Sequence, residues 1–134
     1  MLDHHAALIY VAVLASAADK DVTDCELATI NEVVAHWPVF RDYDRDRMSA
    51  TANACIDLLQ AEDGLDRAVA AIRAGLPESL YETAYALACD VAAADGRANQ
   101  EELRLLELLS EGLGLGRLQT AAIEYATRIR HRVA

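Results

Sequence analysis

The sequence predicts an all-α fold, a compact single-domain bundle of about seven helices that contains an internally duplicated helix-loop-helix. Hydrophobic residues make up 54% of the 134 residues, whereas glycine and proline number only 6 and 2, and this composition favours helices over turn-rich β architecture. Apolar residues also recur at helical spacing, and no Ser/Gly-rich linker divides the chain. We therefore expect one domain spanning residues 1–134.

The first two predicted helices differ in how much of their surface is apolar. The first runs from Asp3 to Ala18 and is apolar on nearly every side, which predicts a central buried helix. The second stops before Pro38, because the residue ahead of a proline is pushed out of helical geometry. Its predicted inner stripe consists of Leu27, Ile30, Val34 and Trp37.

Three amphipathic helices are predicted next. One spans residues 46–61, and a second follows a predicted N-cap at Asp63. The third has Pro77 at its first position, where the missing N–H is not needed. Their inner stripes are Met48, Ala52, Cys55 and Leu59; Leu65, Val69 and Ile72; and Leu80, Ala84, Leu87 and Val91. The charged segment 40–47 between the second and third helices is interpreted as a solvated connection.

The sixth and seventh helices complete the bundle. The sixth is expected to end at Gly112, in the left-handed conformation that glycine adopts after a helix. The seventh starts near Gly116 and has arginines close to its negative end, where they suit the helix dipole. The predicted stripes are Leu103, Leu106, Leu109 and Leu113 in the sixth helix, and Ala122, Tyr125, Ile129 and Val133 in the seventh.

Two segments of the chain match when the sequence is shifted against itself by 76 residues. Residues 17–19 and 93–95 then both read Ala-Ala-Asp, and Glu26-Leu27 aligns with Glu102-Leu103. Thr23 and Asn99 each precede the aligned glutamate by three residues, which is the spacing of a capping box. The sequence therefore predicts a duplicated unit, in which a buried helix ends at an aspartate and a capped amphipathic helix follows.

The acidic residues of the two loops form a candidate metal site. Asp19 and Asp95 follow the carboxyl ends of helices, where the dipole is unfavourable for a carboxylate. A bound cation would offset that cost, since carboxylates and helix-end carbonyls are the hard oxygen ligands that calcium and magnesium prefer. The candidate ligands are Asp19, Asp21 and Glu26 in the first loop, and Asp95 and Glu102, with Asp90 and Glu101 as further candidates, in the second.

A structural explanation of the same aspartates stays open beside the metal site. Aspartate is common in turns because its side chain accepts hydrogen bonds from nearby N–H groups. Neither loop has the glycine and the final glutamate that an EF-hand requires, since Asp24 and Ile30 occupy those places in the first loop. The sequence therefore predicts weak divalent-cation binding or a capped turn, and not a tight calcium-sensor site.

The stretch from Cys89 to Glu107, with Ala-Asp-Gly at residues 94–96 and Glu-Glu-Leu at 101–103, resembles the signature of the TerB-like family, and residues 18–27 resemble its first-half motif. The resemblance implies an internally duplicated helical fold and an accessory role in bacterial tellurite resistance and stress responses. It also implies divalent-metal binding through the acidic residues and membrane-associated protein partners. Lys20 and Arg97 depart from the pattern, so equal metal affinity at the two loops is not expected.

Charge and the reactive residue types restrict the function further. A net charge of −10 disfavours nucleic acid and anionic membrane surfaces as partners. The cysteines Cys25, Cys55 and Cys89 are isolated, as expected for buried thiols in a reducing compartment. The first apolar run is too short to span a bilayer and no basic secretory signal precedes it, which favours the cytoplasm.

No catalytic or cofactor site is expected. The chain lacks CxxC and GxGxxG motifs and any nucleophile-base arrangement. His4, His5, His36 and His131 are interpreted as surface or helix-end polarity. We therefore expect a binding protein and not an enzyme, with the oligomeric state left open. The alternative is a structural helical module without a metal site, which binds a partner helix or itself.

Overall fold

The computed structural model describes residues 2–16, 24–94 and 100–134, and for residues 24–26, 29, 94 and 100–102 it describes the backbone alone. The described residues form α-helices and short 3-10 turns and contain no strand, so the all-α prediction is confirmed. The helices are α1 (His4–Ser16), α2 (Asp24–His36), α3 (Met48–Leu59), α4 (Gly64–Gly75), α5 (Tyr81–Ala94), α6 (Gln100–Gly112) and α7 (Arg117–Arg130).

α1 forms the centre of the molecule. Nine consecutive residues, Ala7 to Ala15, are buried, so helices cover every side of it, as the all-round apolar sequence predicts. It packs mainly against α3, α4 and α5. The carboxylate of Asp3 accepts a hydrogen bond from the backbone N–H of Ala6 at 2.7 Å and so caps the helix start.

The helix bounds repeat with the predicted offset of 76 residues. α2 and α6 each contain 13 residues, and both of their ends are separated by that offset. The packing repeats as well: α1 and α5 contact each other, α1 contacts α6 where α5 contacts α2, and α1 packs on α3 as α5 packs on α7. The duplication predicted from sequence is therefore a property of the described fold.

Most predicted inner stripes of α2 to α5 lie in the core. Ile30, Val34, Ala52, Cys55 and Ile72 are fully buried, as are Ala84, Leu87 and Val91. Leu27, Trp37, Leu59, Leu65, Val69 and Leu80 are half-buried at the edges of the same cluster. The spacing of apolar residues was therefore sufficient to identify the inward face of these four helices.

The predicted starts of α4 and α5 have different outcomes. Asp63 is the N-cap residue of α4, as predicted, but its side chain makes no cap hydrogen bond, and its carboxylate lies 3.8 Å from Arg67. Pro77 has an extended ψ of 149° and precedes a 3-10 turn, Glu78–Leu80, so α5 begins only at Tyr81. The fixed φ of proline suits both the first turn of a helix and the extended residue before it, so sequence alone does not distinguish them.

α6 ends at Gly112, as predicted. The left-handed glycine, however, is Gly114, with φ of 68°, and not Gly112. Leu115 N–H donates to the Ser110 carbonyl and Gly114 N–H to the Glu111 carbonyl, each at 3.0 Å, which is the Schellman pattern of a helix end. Gly112 is needed for packing, because a Cβ there would lie 2.4 Å from Cγ1 of Val69.

The charged segment between α2 and α3 is more than a solvated connection. It contains two 3-10 turns, Pro38–Phe40 and Arg45–Arg47. Phe40 is buried, and its ring lies 5.7 Å from that of Tyr43 and 5.8 Å from that of His5. His5 also bonds the Val39 carbonyl at 2.9 Å through Nε2. The aromatic residues pack this segment against α1, whereas its charged side chains are exposed, as expected for a solvated connection. His5 lies at the start of α1, as helix-end polarity predicts, but it is half-buried and contacts this segment.

Candidate functional site

The two acidic loops connect equivalent pairs of helices. Residues 17–23 connect α1 to α2, and residues 95–99 connect α5 to α6. The helices that lead into the loops, α1 and α5, pack against each other. The helices that leave them begin directly after Thr23 and Asn99, the two residues predicted as caps. Each loop therefore connects the two helices of one pair, and the two pairs are equivalent.

The predicted ligands themselves lie outside the described residues. Asp19, Asp21 and Asp95 fall in the loops, and Glu26 and Glu102 are described by backbone alone. Each of these glutamates is the third residue of its helix, α2 or α6. This is the position from which a capping-box glutamate reaches back toward the helix start. The metal site and the alternative of a capped turn both stay predictions.

The last turn of α1, which precedes the first loop, is largely buried. Leu14 and Ala15 in its last turn are 3% and 2% exposed. The last carbonyls of a helix have no partner within the helix and carry its negative dipole end. Ser16 donates from its hydroxyl to the Val13 carbonyl at 3.3 Å. An aspartate three residues beyond this end therefore follows an electronegative and largely buried helix terminus.

Asp90, a further candidate ligand, has another partner. Its carboxylate accepts a hydrogen bond from Nη2 of Arg130 on α7 at 2.6 Å, and Nε2 of His131 lies 3.6 Å away. The Asp90 side chain is 15% exposed. The arginine supplies the positive charge that the cation was expected to supply, so Asp90 is removed from the candidate set. Across the three described ranges, no cluster of three or more His, Cys, Asp or Glu residues forms a metal site.

The buried thiols have no properties of a reactive site. Cys55 and Cys89 are both free and buried, as predicted, while the side chain of Cys25 is not among those described. Burial raises the pKa of each thiol to about 12 from an ordinary value of 9.0. Since the thiolate is the nucleophile, both groups are inert at neutral pH.

A polar cleft of about 390 Å³ lies between α6 and α7. At its base Tyr85, on α5, donates from its hydroxyl to Glu124, on α7, at 3.0 Å. Burial raises the pKa of Tyr85, with the nearby Cys89 and Glu124 adding to the shift. The phenol therefore stays neutral and remains a donor. This hydrogen bond joins α5 to α7.

The outward side of α7 carries apolar residues that are exposed. Ala122, Tyr125 and Ile129, which the sequence predicts as an apolar stripe of this helix, are exposed, and Val133 is exposed beyond the helix end. Leu103 of α6, predicted in an inner stripe, is 57% exposed, and its neighbour Leu105 is buried instead. Helical spacing identifies an apolar stripe but does not say whether the stripe faces its own core or a partner.

Comparison with known proteins identifies one family. Residues 5–125 match the family model described as tellurite resistance protein TerB. This range includes α1 except its first residue, α2 to α6, both acidic loops and the first nine residues of α7. No curated protein and no solved structure gives a significant match to the chain. In the described part of the chain, no helix has the length and apolar character needed to cross a membrane.

Proposed function

The chain belongs to the TerB family of tellurite resistance proteins, and on that premise we propose that it is a cytoplasmic accessory protein of tellurite resistance and stress responses. In this proposal it binds divalent cations weakly at the two acidic loops and acts through contacts with other proteins, including membrane-associated ones. The first site consists of Asp19, Asp21 and Glu26, and the second of Asp95 and Glu102. Calcium and magnesium are the cations whose ligand preference these oxygens meet.

The repetition of the helices that flank the two loops is the observation that carries this proposal. α2 and α6 start and end 76 residues apart, and each follows a helix of the central packed pair. A carboxylate occurs at the matching place in both loops, at residues 19 and 95. A turn alone requires only one local hydrogen bond from the aspartate, and it does not explain why a carboxylate follows an electronegative helix end. A bound cation explains this, because it offsets the unfavourable interaction with the helix dipole.

The loops differ in charge, so the proposal expects unequal affinity. The first loop offers Asp19 and Asp21 together with Glu26, and Lys20 is its basic residue. In the second loop Arg97 occupies the place that corresponds to Asp21, and Asp90 is bound to Arg130. Fewer carboxylates and a nearby guanidinium weaken cation binding, so the first loop is the tighter site.

Cation titration tests the proposal directly. Calcium, magnesium, manganese and zinc are each titrated into the folded protein by calorimetry, with Asp19→Asn, Asp95→Asn and the double variant in parallel. Asp63→Asn is the matched control, because that carboxylate is exposed directly before α4 and lies outside both loops. Asp19→Asn is expected to weaken binding most, and the double variant to abolish it. Equal binding by the double variant and the wild type would reject site-specific coordination.

The second candidate function is a helical interaction module in which the loops are capped turns only. The exposed apolar side of α7 favours it, since Leu118 is 79% exposed and Tyr125 is 54% exposed. A binding role in place of a catalytic one also agrees with the inert buried thiols. This candidate requires no cation, so a protein that binds partners but no metal would support it over the first.

A further inference from the structure

α7 presents its more apolar side outward. Its inward side carries Thr120, Glu124 and Thr127 around a single large apolar residue, Ile123, and Thr127 is only 5% exposed. The outward side carries Leu118, Ala122, Tyr125 and Ile129, and Leu118, Tyr125 and Ile129 are 79%, 54% and 46% exposed. A helix in an isolated domain normally shows the opposite arrangement.

Polar contacts fix this orientation. Glu124 accepts a hydrogen bond from the nearly buried Tyr85, and Arg130 is paired with Asp90, so α7 is bound to α5 at two separate levels. Thr127 donates to the Ile123 carbonyl at 2.8 Å, which satisfies the one buried polar side chain of the helix. Rotating the apolar stripe inward would break both interhelix contacts and leave the largely buried Tyr85 and Asp90 of α5 without their partners. The stripe therefore stays exposed.

The outer side of α7 also has fewer neighbouring helices than the equivalent helix α3. α3 packs against α1 on one side and α4 on another, whereas the principal neighbour of α7 among the described helices is α5 alone. The stripe residues follow one another at intervals of four, three and four, the seam spacing by which two helices pack along their length. From Leu118 to Ile129 the stripe is about 16 Å long, or three helical turns.

The charged residues beside the stripe indicate which kind of helix can bind to it. Arg117 and Arg128 lie along one edge and are exposed, and residues 117–134 hold four arginines and one acidic residue in a chain of net charge −10. An antiparallel second copy of α7 would place Arg117 opposite Arg128 of its partner, and these like charges oppose self-pairing. A parallel copy would set the arginine edge against the uncharged edge of Gln119 and Ala126 and would leave the arginines without partners. Acidic residues beside the arginines favour binding.

We propose that the outer side of α7 is a docking surface for an amphipathic helix of a partner protein, whose apolar stripe is flanked by aspartate or glutamate. The partner helix packs its apolar residues between Leu118, Tyr125 and Ile129, and its acidic residues pair with Arg117 and Arg128. This inference rests on the part of the proposed function that gives the chain protein partners. It does not depend on the cation site.

Two matched peptides test the surface. Each is a fluorescent helix of about three heptads with leucine at both seam positions, flanked by glutamate in one peptide and by lysine in the other. Binding to the full chain is measured by fluorescence anisotropy. The glutamate peptide is expected to bind about tenfold or more tightly than the lysine peptide, and the difference is expected to shrink at high salt because the flanking pairs are exposed.

Three variants of the chain locate the binding. Leu118→Gln/Ile129→Gln is expected to abolish binding of the glutamate peptide without unfolding the chain, since both side chains are exposed. Arg117→Glu/Arg128→Glu is expected to reverse the preference toward the lysine peptide. Arg41→Glu/Arg67→Glu changes the net charge equally at exposed positions elsewhere and is expected to retain the wild-type preference.

Several results would overturn the proposal. These are equal binding of the two peptides, no binding of either, and equal loss of binding in the Arg41/Arg67 control. A dimer in sedimentation equilibrium that Leu118→Gln/Ile129→Gln dissociates would identify a second copy as the occupant and would also overturn it. Cation titration of the same variants separates the two proposals. A chain that binds the glutamate peptide but no cation would reject the cation site and leave the docking surface supported.

Discussion

Tyr85 on α5 donates a hydrogen bond to Glu124 on α7, with 3.0 Å between the two oxygens, and Tyr85 itself is only 3% exposed. This bond and the pair between Arg130 and Asp90 determine which side of α7 faces the core. The apolar stripe of the helix is left outside as a consequence. Contacts between side chains about forty residues apart therefore create the surface that we propose as a docking site.

Replacing Tyr85 by phenylalanine removes the donor and leaves the half-buried Glu124 carboxylate without its partner. A hydrogen bond to a charged group contributes about 1.5–3 kcal/mol, and the partial exposure of Glu124 places the expected loss of unfolding free energy near the lower value. Urea denaturation measures it. Thr83→Ser, a small change on the same helix, serves as the control, and an unchanged free energy in Tyr85→Phe would show that the bond does not fasten α7.

Replacing Asp90 by asparagine removes the ion pair with Arg130. Because the arginine side chain is 48% exposed, we expect a loss of about 1 kcal/mol or less in unfolding free energy, smaller still at high salt. Asp63→Asn is the matched control. Its pair with Arg67 is 3.8 Å long and exposed on both sides, so its removal should have almost no effect. Equal effects of the two variants would contradict a specific role for Asp90.

Replacing Gly112 by alanine introduces a Cβ 2.4 Å from Cγ1 of Val69, which forces α4 and α6 apart. Overpacking of this kind typically costs about 1–3 kcal/mol. Combining it with Val69→Ala is expected to restore part of the loss, because the clashing methyl group is removed. Thermal denaturation of the two single variants and the double variant measures this coupling. Strictly additive effects would mean that the two residues do not meet.

The buried thiols predict a loss of stability in alkaline solution. Burial raises the pKa of Cys55 and Cys89 to about 12 in the folded chain, from 9.0. Their contribution is therefore fully present below about pH 9 and is lost as the pH rises toward 12, because the unfolded chain releases these protons first. Unfolding free energy measured against pH should fall less steeply in Cys55→Ala/Cys89→Ala than in the wild type.

Thiol labelling gives a second measurement of the same burial. In Cys25→Ser, the two remaining thiols should react with a disulfide reagent at about pH 8 only after denaturant unfolds the chain. Rapid labelling of the folded variant would show that Cys55 or Cys89 is accessible, and it would contradict the raised pKa values.

The sequence by itself determined the helices and their duplication. Capping residues, prolines and the spacing of apolar residues act within one or two turns, so α2 and α6 begin directly after Thr23 and Asn99 as predicted. The continuous apolar run of α1 likewise required a central position, because a helix without a polar side has no side to leave exposed. The acidic loops could be predicted as candidates on the same local grounds.

Only the tertiary structure decided which stripes face the core. The apolar stripe of α7 has the spacing of an inner face. Hydrogen bonds of α7 with Tyr85 and Asp90 on α5 nevertheless hold the opposite side of the helix inward. Asp90 is likewise a further candidate ligand by its position near the loop, and only the structure shows that its partner is Arg130. Local spacing fixes a helix and its apolar side. The direction in which that side points depends on contacts between residues far apart in the chain.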